Sequence, residues 1–267
     1  MIFPARFSAR VLLSGCIVTA IAGSAAAQAA SSSRFWRPVE EALGRKGTTN
    51  PGDVLKFSFP RSDLSVVVSG VTLKPALALG SWVAFKRIGD HVMMMGDLVL
   101  LDDEVASVLG SLQQNGVEQT ALHNHLLHES PRVMYMHIRA IGNGVRIARA
   151  VRTALEFTKT PIVPAAAVPP PPSAPLPVSV PSAAIVPKAG LDLDTAAIAK
   201  IIGFRGRVSG GVYQLSIQRR EKILEDKMEI PSAMGIATAI NFQSTGGGKA
   251  AITGDFVLLG RELNPVI

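Results

Sequence analysis

The chain of 267 residues contains a single cysteine, Cys16, and only 5% of its residues are aromatic. One cysteine excludes an intrachain disulfide framework, because each disulfide needs two thiols. Few aromatic rings argue against a groove for single-stranded nucleic acid, where bases stack on aromatic side chains. The formal net charge of +7 is spread along the chain among acidic residues, so no basic run indicates a nucleic-acid partner.

The first 29 residues have the features of a secretory signal peptide. Arg6 and Arg10 form a basic start, an apolar stretch follows, and small residues over 25–29 provide A-x-A cleavage sites. We therefore expect an exported protein, periplasmic or secreted, with no transmembrane helix in its mature chain. The letters LSGC ending at Cys16 also fit a lipobox. The apolar stretch before them is short, so lipid anchoring at Cys16 is the less favoured alternative.

A proline-rich segment separates two related parts of the chain. Ten of the 18 prolines lie in residues 158–190, and proline favours an extended spacer because it fixes φ and lacks an N–H. Before this segment stand VLKFSFPRSDL and MMMGDLVLLDDEVASVL, and after it stand VYQLSIQRREK and AAITGDFVLLGRELNPVI. We therefore predict a first domain at 35–158, a linker at 159–190, and a second copy, shortened at its C-terminal end, at 191–267.

The first copy has the pattern of an α+β domain. Residues 102–116 place apolar side chains at helical spacing, with Gly116 as a stop. Residues 118–126 and 132–140 predict a hairpin, followed by an amphipathic helix. Further strands are predicted at 54–59, 64–69, 81–87 and 91–101. Consecutive strands that pair as hairpins indicate an antiparallel sheet with helices packed on one face.

Four of the five histidines lie in the predicted hairpin, in the segment TALHNHLLHESPRVMYMHIRA. Side chains alternate along a strand, so His123 and His125 share one face, and Tyr135 and His137 share a face of the return strand. A register that places His123 across from His137 would bring three imidazoles within reach of one ion. Three histidines with an open position are typical of catalytic zinc sites. We therefore name His123, His125 and His137 as candidate ligands for a divalent metal such as zinc.

Two other interpretations of the histidines stay open. They could line a polar pocket for an organic or sugar-like ligand, or form a polar stripe without chemistry. A slip of one residue in the strand register would turn His137 to the other face and dissolve the cluster.

Additional residues are candidates for binding a ligand beside the histidines. Asp97 and His91 could supply a fourth ligand or a supporting partner, and Tyr135 shares the polar row. Arg61 and Asp63, which follow a strand together, could line the mouth of the same cleft. The second copy repeats this turn with Arg219 and Glu221 and also repeats Gly-Asp at 254–255. Because that copy has no histidines, the repetition favours a structural role for these residues.

Four features together resemble the LppY/LpqO family, exported bacterial proteins built on a domain named DUF1259. They are the stretches PRSDLSVVVSGVTLKPALALGSWVAF and VMMMGDLVLLDDEV, the histidine segment, and the doubled architecture. The resemblance covers residues 36–160 and, more faintly, 192–267. It implies export, lipid anchoring in some members, two copies of the domain, and no assigned activity. In typical members the second copy also ends in a histidine-bearing hairpin, which this sequence does not contain.

Three functional hypotheses follow. The first is an exported binding protein with a pocket lined by His123, His125 and His137, with or without a metal. The second is a metal-dependent hydrolase in which the ion activates water and Asp97 or Glu118 acts as the base. The third is a structural cell-envelope protein without a small ligand. The sequence shows no nucleophile motif, which favours binding over catalysis.

Overall fold

The computed structural model describes residues 31–162, 191–225 and 227–266. The predicted signal peptide, and nearly all of the predicted linker, lie outside the described residues. Both sheet-containing halves of the described chain fall within one compact unit, residues 39–267. No helix within the described residues is both long and apolar enough to span a membrane.

The first half begins with helix α1, residues 31–43. Its strands are β1 Thr48–Asn50, β2 Val54–Pro60, β3 Val67–Val68, β4 Val71–Thr72, β5 Gly80–Ile88, β6 His91–Leu101, β7 Glu118–His123, β8 Glu129–Ser130 and β9 Val133–Gly142. Its later helices are α2 Pro75–Ala78, α3 Val105–Gln114 and α4 Gly144–Leu155. A 3-10 turn, Asp102–Glu104, leads into α3.

The second half repeats the early part of this order with fewer helices. Its strands are β10 Arg207–Ser209, β11 Val212–Gln218, β12 Ile223–Glu225, β13 Met228–Ile230, β14 Ala237–Gly246 and β15 Lys249–Asp255. Its helices are α5 Thr195–Ile202 and α6 Leu263–Val266, with 3-10 turns at Ser232–Met234 and Gly260–Glu262. The fold is α+β with antiparallel sheets in both halves, as the sequence predicts.

The main sheet has six antiparallel strands in the order β1-β2-β5-β6-β9-β7. Alternation along each strand directs one row of side chains to each face. One face is apolar, with Phe57, Phe85, Met94 and Met136 buried on it, and the helices α3 and α4 contact the strands β6, β7 and β9. Helix α4 begins after Asn143, whose side-chain oxygen accepts hydrogen bonds from two backbone N–H groups of the first turn.

The second half covers the other face of this sheet through two apolar clusters. The first comprises Val54, Ala84, Met93, Ile230 and Met234. The second comprises Val66, Leu73, Leu77, Leu79, Val99, Leu126, Val133, Tyr135 and Val212. Along β6 the covered face carries Met93 in the first cluster and Val99 in the second, with Asp97 between them. Asp97 therefore lies between the two apolar clusters that join the halves.

Hydrogen bonds to the short helix α2 fix this arrangement. Gln214 and Asn241 donate from their side-chain amides to the carbonyls of Ala76 and Leu77, at 2.8 and 3.0 Å. The Gln243 side chain accepts from the backbone N–H of Lys74 at 2.8 Å. Helix α2 directly precedes β5, and β5 pairs with β6, the strand that carries Asp97. These hydrogen bonds therefore hold the second sheet close to Asp97.

Two predicted strands differ from the structure, and one helix was not predicted. Most of the predicted strand at 64–69 is irregular, and only the two-residue strand β3 forms there, paired with β4 and β8. Strand β7 ends at His123 instead of continuing to residue 126. Proline at the first helical position favours α2, a helix that the sequence pattern did not predict.

Candidate metal centre

The strands β7 and β9 bring the histidines onto one face of the sheet. His123 is paired with Tyr135, and His137 is paired with Ala121. His123 and His137 are therefore diagonal neighbours, and the register is shifted by two residues from the directly opposed pairing that the sequence suggested. Residues on one face of an antiparallel pair remain within reach at such diagonal positions.

A β-bulge in β7 makes this register possible. The ladder runs from Gln119 opposite Ile138 directly to Ala121 opposite His137, so Thr120 is the extra residue. Without a bulge, the pairing of Gln119 with Ile138 would place His123 opposite Met134, on the helix-covered face. One inserted residue turns the following side chains to the opposite face, so His123 joins the polar row.

The three histidines form a tight cluster. Their candidate ligand nitrogens all lie within 4.8 Å of one another. The Nε2 atoms of His123 and His125 are 2.8 Å apart, a hydrogen bond in which one ring donates. The ring of His137 stands edge-on to that of His123, with ring centres 4.8 Å apart. Three imidazole nitrogens thus converge on one point.

His125 lies beyond the end of β7, and Tyr135 orients it there. The two rings are stacked with centres 3.7 Å apart and planes 5° apart. The Tyr135 hydroxyl donates to the carbonyl of Ala78 at 3.0 Å, which anchors the ring. Burial, together with the nearby carboxylates Asp97 and Asp255, raises the pKa of Tyr135, so the phenol keeps its proton.

Asp97 lies beside His137 on the neighbouring strand. The two residues are direct partners in the β6–β9 ladder, and Oδ2 of Asp97 is 3.7 Å from Nε2 of His137. The second carboxylate oxygen, Oδ1, is buried and has no hydrogen-bond partner among the described residues. An unsatisfied buried oxygen is costly, so a proton, a water molecule or a cation at this position would be stabilising.

Asp255, from the second half, completes the surroundings of the cluster. Its Oδ1 lies 3.5 Å from Nδ1 of His125. A carboxylate at that nitrogen favours the tautomer with a proton on Nδ1 and leaves Nε2 of His125 as an acceptor or metal ligand. The sequence aligns Gly254-Asp255 with Gly96-Asp97 and predicts a ligand-binding role for Asp97 alone, with the repetition favouring a structural role for the Gly-Asp pair. Only the docking of the two halves reveals that Asp255 reaches the histidines.

The electrostatic surroundings keep the imidazoles available as ligands. Burial lowers the pKa of His125, with Asp255 opposing and His123 and His137 lowering it further. Burial also lowers the pKa of His137, again with Asp255 opposing. Neutral imidazole is the form that binds metals, so both rings are prepared for coordination near neutral pH.

The pKa of Asp97 is shifted upward, opposite to the pKa values of the two histidines, and burial is again the main cause. Burial raises its pKa to about 7, while His123 lowers it, Asp255 raises it and Lys56 lowers it. Withdrawal from water disfavours the charged form of a carboxyl group. The carboxyl of Asp97 therefore titrates near neutral pH in the metal-free protein.

Arg61 and Asp63, predicted to line the cleft, form a separate ion-pair network. Arg61 is fully buried (0% exposed) and binds Asp63 at 2.9 Å, Glu104 at 2.7 Å and the Val99 carbonyl at 2.7 Å. The guanidinium is thus occupied by protein acceptors. Arg219 makes the equivalent contacts with Glu221, Glu262 and the Val257 carbonyl.

The other sequence candidates lie at different places. His91 begins β6 and is exposed; it lies six positions before Asp97, about 20 Å along a strand. Glu118, the alternative base, lies at the start of β7, is largely exposed and pairs with Arg139 at 3.4 Å. His128 is exposed in the loop that follows β7. The structure therefore brings together His123, His125, His137, Asp97 and Tyr135, and adds Asp255.

The fold and cluster define an α+β protein with two related sheets and a three-histidine centre flanked by carboxylates. A family model described as Domain of Unknown Function (DUF1259) matches residues 37–157 and 196–267. The chain belongs to this DUF1259 family, and the two matched segments correspond to the two halves of the structure. Comparisons with curated proteins and with solved structures gave no match.

Proposed function

We propose that this chain binds a divalent metal ion, such as zinc, through His123, His125 and His137. The observation that supports the proposal is the convergence of three imidazole nitrogens within 4.8 Å of one another. Zinc–imidazole bonds are about 2.0–2.1 Å long, so an ion between such nitrogens needs only small side-chain adjustments. The hydrogen bond between His123 and His125 would open as both Nε2 atoms turn to the ion.

The flanking carboxylates support this assignment. Metal-bound histidines usually donate their second N–H to a carboxylate or carbonyl group, which fixes the tautomer and the ring orientation. Asp255 has this position toward Nδ1 of His125. Asp97 supplies either a fourth ligand or a partner of His137, and its unpaired Oδ1 favours a nearby cation.

A metal held by three histidines keeps an open position, so a metal-dependent hydrolase is a second candidate function. The buried Asp97, whose pKa lies near 7, would serve as the base for a metal-bound water. Glu118 is less suited to that role because it is exposed and paired with Arg139. A polar pocket for an organic ligand and a structural cell-envelope role are the alternatives if no metal binds.

We also propose that the protein is exported and is a member of the LppY/LpqO group. The signal-peptide pattern of residues 1–29 supports periplasmic or secreted localisation, and the DUF1259 match supports the grouping. Detection of a mature chain beginning near residue 28 or 30 in the periplasm or medium would test export. A lipid-modified Cys16 at the N-terminus would instead establish the anchored form.

Metal analysis of the purified protein tests the central proposal. We expect one zinc per chain after loading and removal of excess metal, and loss of tight binding in His123→Ala and in His137→Ala. His91→Ala is a matched control, because His91 is an exposed histidine at the remote end of β6. Absence of stoichiometric metal, or retention of it in both cluster variants, would refute the proposed centre.

A further inference from the structure

Lys56 lies on the face of the main sheet that carries Asp97, and no hydrogen-bond acceptor for it is present in the described part of the chain. Its ammonium stands 4.0 Å from the centre of the Trp82 ring. Among the described residues it makes no hydrogen bond or close ion pair. Lys56 is half-buried, and its ammonium has three N–H donors available to an acceptor. Burial lowers the pKa of Lys56 to about 8, with Arg207 lowering it further and Asp97 opposing.

Lys56 lies on the face of the main sheet that carries the histidine cluster, on β2, with β5 and β6 between it and β9. Trp82, beneath Lys56, is the direct partner of Asp97 across β5 and β6. Asp97 is in turn the direct partner of His137 across β6 and β9. Lys56 and Asp97 thus lie on the same face of the sheet, two strands apart. Lys56 and the histidines therefore flank Asp97 from opposite sides.

The duplicated domain shows that the fold itself does not require a lysine here. The equivalent residue of the second copy is Gln214, in VYQLS where the first copy has VLKFS. Gln214 donates to the Ala76 carbonyl and helps to join the two halves. A neutral amide thus fits the corresponding strand position, whereas the first copy has a cation without a bonding partner beside the candidate metal.

We propose that the metal centre binds a small oxyanion, a carboxylate or phosphate group, that bridges the ion and the ammonium of Lys56. One oxygen would occupy the open position of the metal, and another would accept a hydrogen bond from Lys56. The inference rests on the proposed metal site. Charge supports it, because a divalent ion and the Lys56 ammonium together exceed the two negative charges of Asp97 and Asp255. Lysine is a compact cation suited to phosphate and carboxylate oxygens.

Calorimetric titration of the zinc-loaded full chain with inorganic phosphate and, separately, with malonate would test this inference. We expect saturable binding of at least one probe to the loaded protein and at least tenfold weaker binding to the metal-free protein. Lys56→Gln, which installs the residue type of the second copy, should retain one zinc per chain and weaken anion binding at least tenfold. Lys56→Arg should bind the anion more tightly than Lys56→Gln.

Lys222→Gln is the matched control, because Lys222 is an exposed lysine in the second half, paired with Glu229. It should leave anion binding unchanged. A loaded protein that binds neither probe would overturn the inference while leaving the metal site intact, as would Lys56→Gln with undiminished affinity. Equal binding with and without zinc would remove the bridging role of the ion. Failure to load zinc at all would refute the proposed metal site and this inference with it.

Discussion

Asp97 and Asp255 occupy equivalent positions in the two copies of the domain, yet they approach two different histidines of one cluster. Asp97 lies 3.7 Å from His137 within the first half, and Asp255 lies 3.5 Å from His125 across the contact between the halves. The second half contributes no histidine of its own. It instead contributes the carboxylate that orients a ligand of the first half, which gives the duplication a role at the site.

Removal of the Asp255 carboxylate should weaken metal binding without abolishing it. In Asp255→Ala, Nδ1 of His125 loses its acceptor, and the tautomer that exposes Nε2 is no longer favoured. Supporting carboxylates of this kind change metal affinity by about 10–100-fold. Because Asp255 is 60% exposed, we expect the lower end, about tenfold, with the stoichiometry unchanged at one zinc per chain. Competition with a chromogenic chelator measures this affinity.

Asp90→Ala provides the control for that measurement. Asp90 is an exposed carboxylate in the turn between β5 and β6, so its removal changes the net charge equally without touching the cluster. If both variants lost the same zinc affinity, Asp255 would act only through the long-range attraction between its charge and the metal ion. No loss in Asp255→Ala would contradict the orienting role altogether.

The buried carboxyl of Asp97 should make the metal-free protein less stable as the pH rises. Its pKa is raised from an ordinary value of 3.8 to about 7 by burial. A raised pKa means that the folded state binds the proton more tightly than the unfolded state. The resulting stabilisation is fully present below about pH 3.8 and is lost as the pH rises through about 7.

Asp97→Asn removes that titration. In urea unfolding of metal-free protein at pH 8, we expect the variant to be more stable than the wild type, on the order of 2 kcal/mol, since a buried charge is replaced by a neutral amide. The difference should shrink towards pH 5, where Asp97 is protonated. A pH-independent difference would show that burial of the charge is not its cause.

The ion-pair network of Arg61 should contribute to stability and not to ligand binding. Arg61→Met leaves Glu104 buried without its cation, and broken buried pairs cost about 3–5 kcal/mol. The equivalent Arg219→Met should cost less, because the Arg219 network is more exposed, with Glu221 51% accessible. Urea unfolding measures both values. A wild-type zinc affinity in folded Arg61→Met, combined with a large loss of stability, would separate Arg61 from the site.

Much of this site could be predicted from strand periodicity. Side chains alternate with a period of two, so the sequence alone indicated that Tyr135 shares a row with His137. His125 joins His123 although it lies beyond the end of β7, where alternation does not apply. The α+β class followed in the same way from hairpin-like strand spacing and the helical pattern before Gly116. These features depend on neighbouring residues, which a single sequence displays directly.

The remaining features depend on irregular or long-range structure. The bulge at Thr120 has no distinctive residue pattern, so the sequence could not determine which residue faces His123. The contribution of Asp255 depends on how the second sheet packs on α2, a contact between residues more than 130 positions apart. Repetition of Gly-Asp in both copies was visible, but the sequence did not show that the second copy would face the histidines.

Gly96, directly before Asp97, should be the glycine on which the geometry of the site depends. A Cβ at this position would lie 2.7 Å from the Trp82 carbonyl oxygen and 2.7 Å from a Val83 methyl group, so β5 would have to move. At the equivalent Gly254, the nearest atom, the Ala239 carbonyl oxygen, is 3.1 Å away, a milder contact.

We therefore expect Gly96→Ala to destabilise the protein by about 1–3 kcal/mol, the usual cost of overpacking, and Gly254→Ala by less. Displacement of β6 from β5 should also shift Asp97 and His137, so Gly96→Ala should bind zinc more weakly than Gly254→Ala. Urea unfolding and chelator competition on both variants test the two effects separately. If Gly96→Ala lost stability but kept its zinc affinity, the position of Asp97 would not depend on the close packing of these strands, and the histidines alone would account for binding.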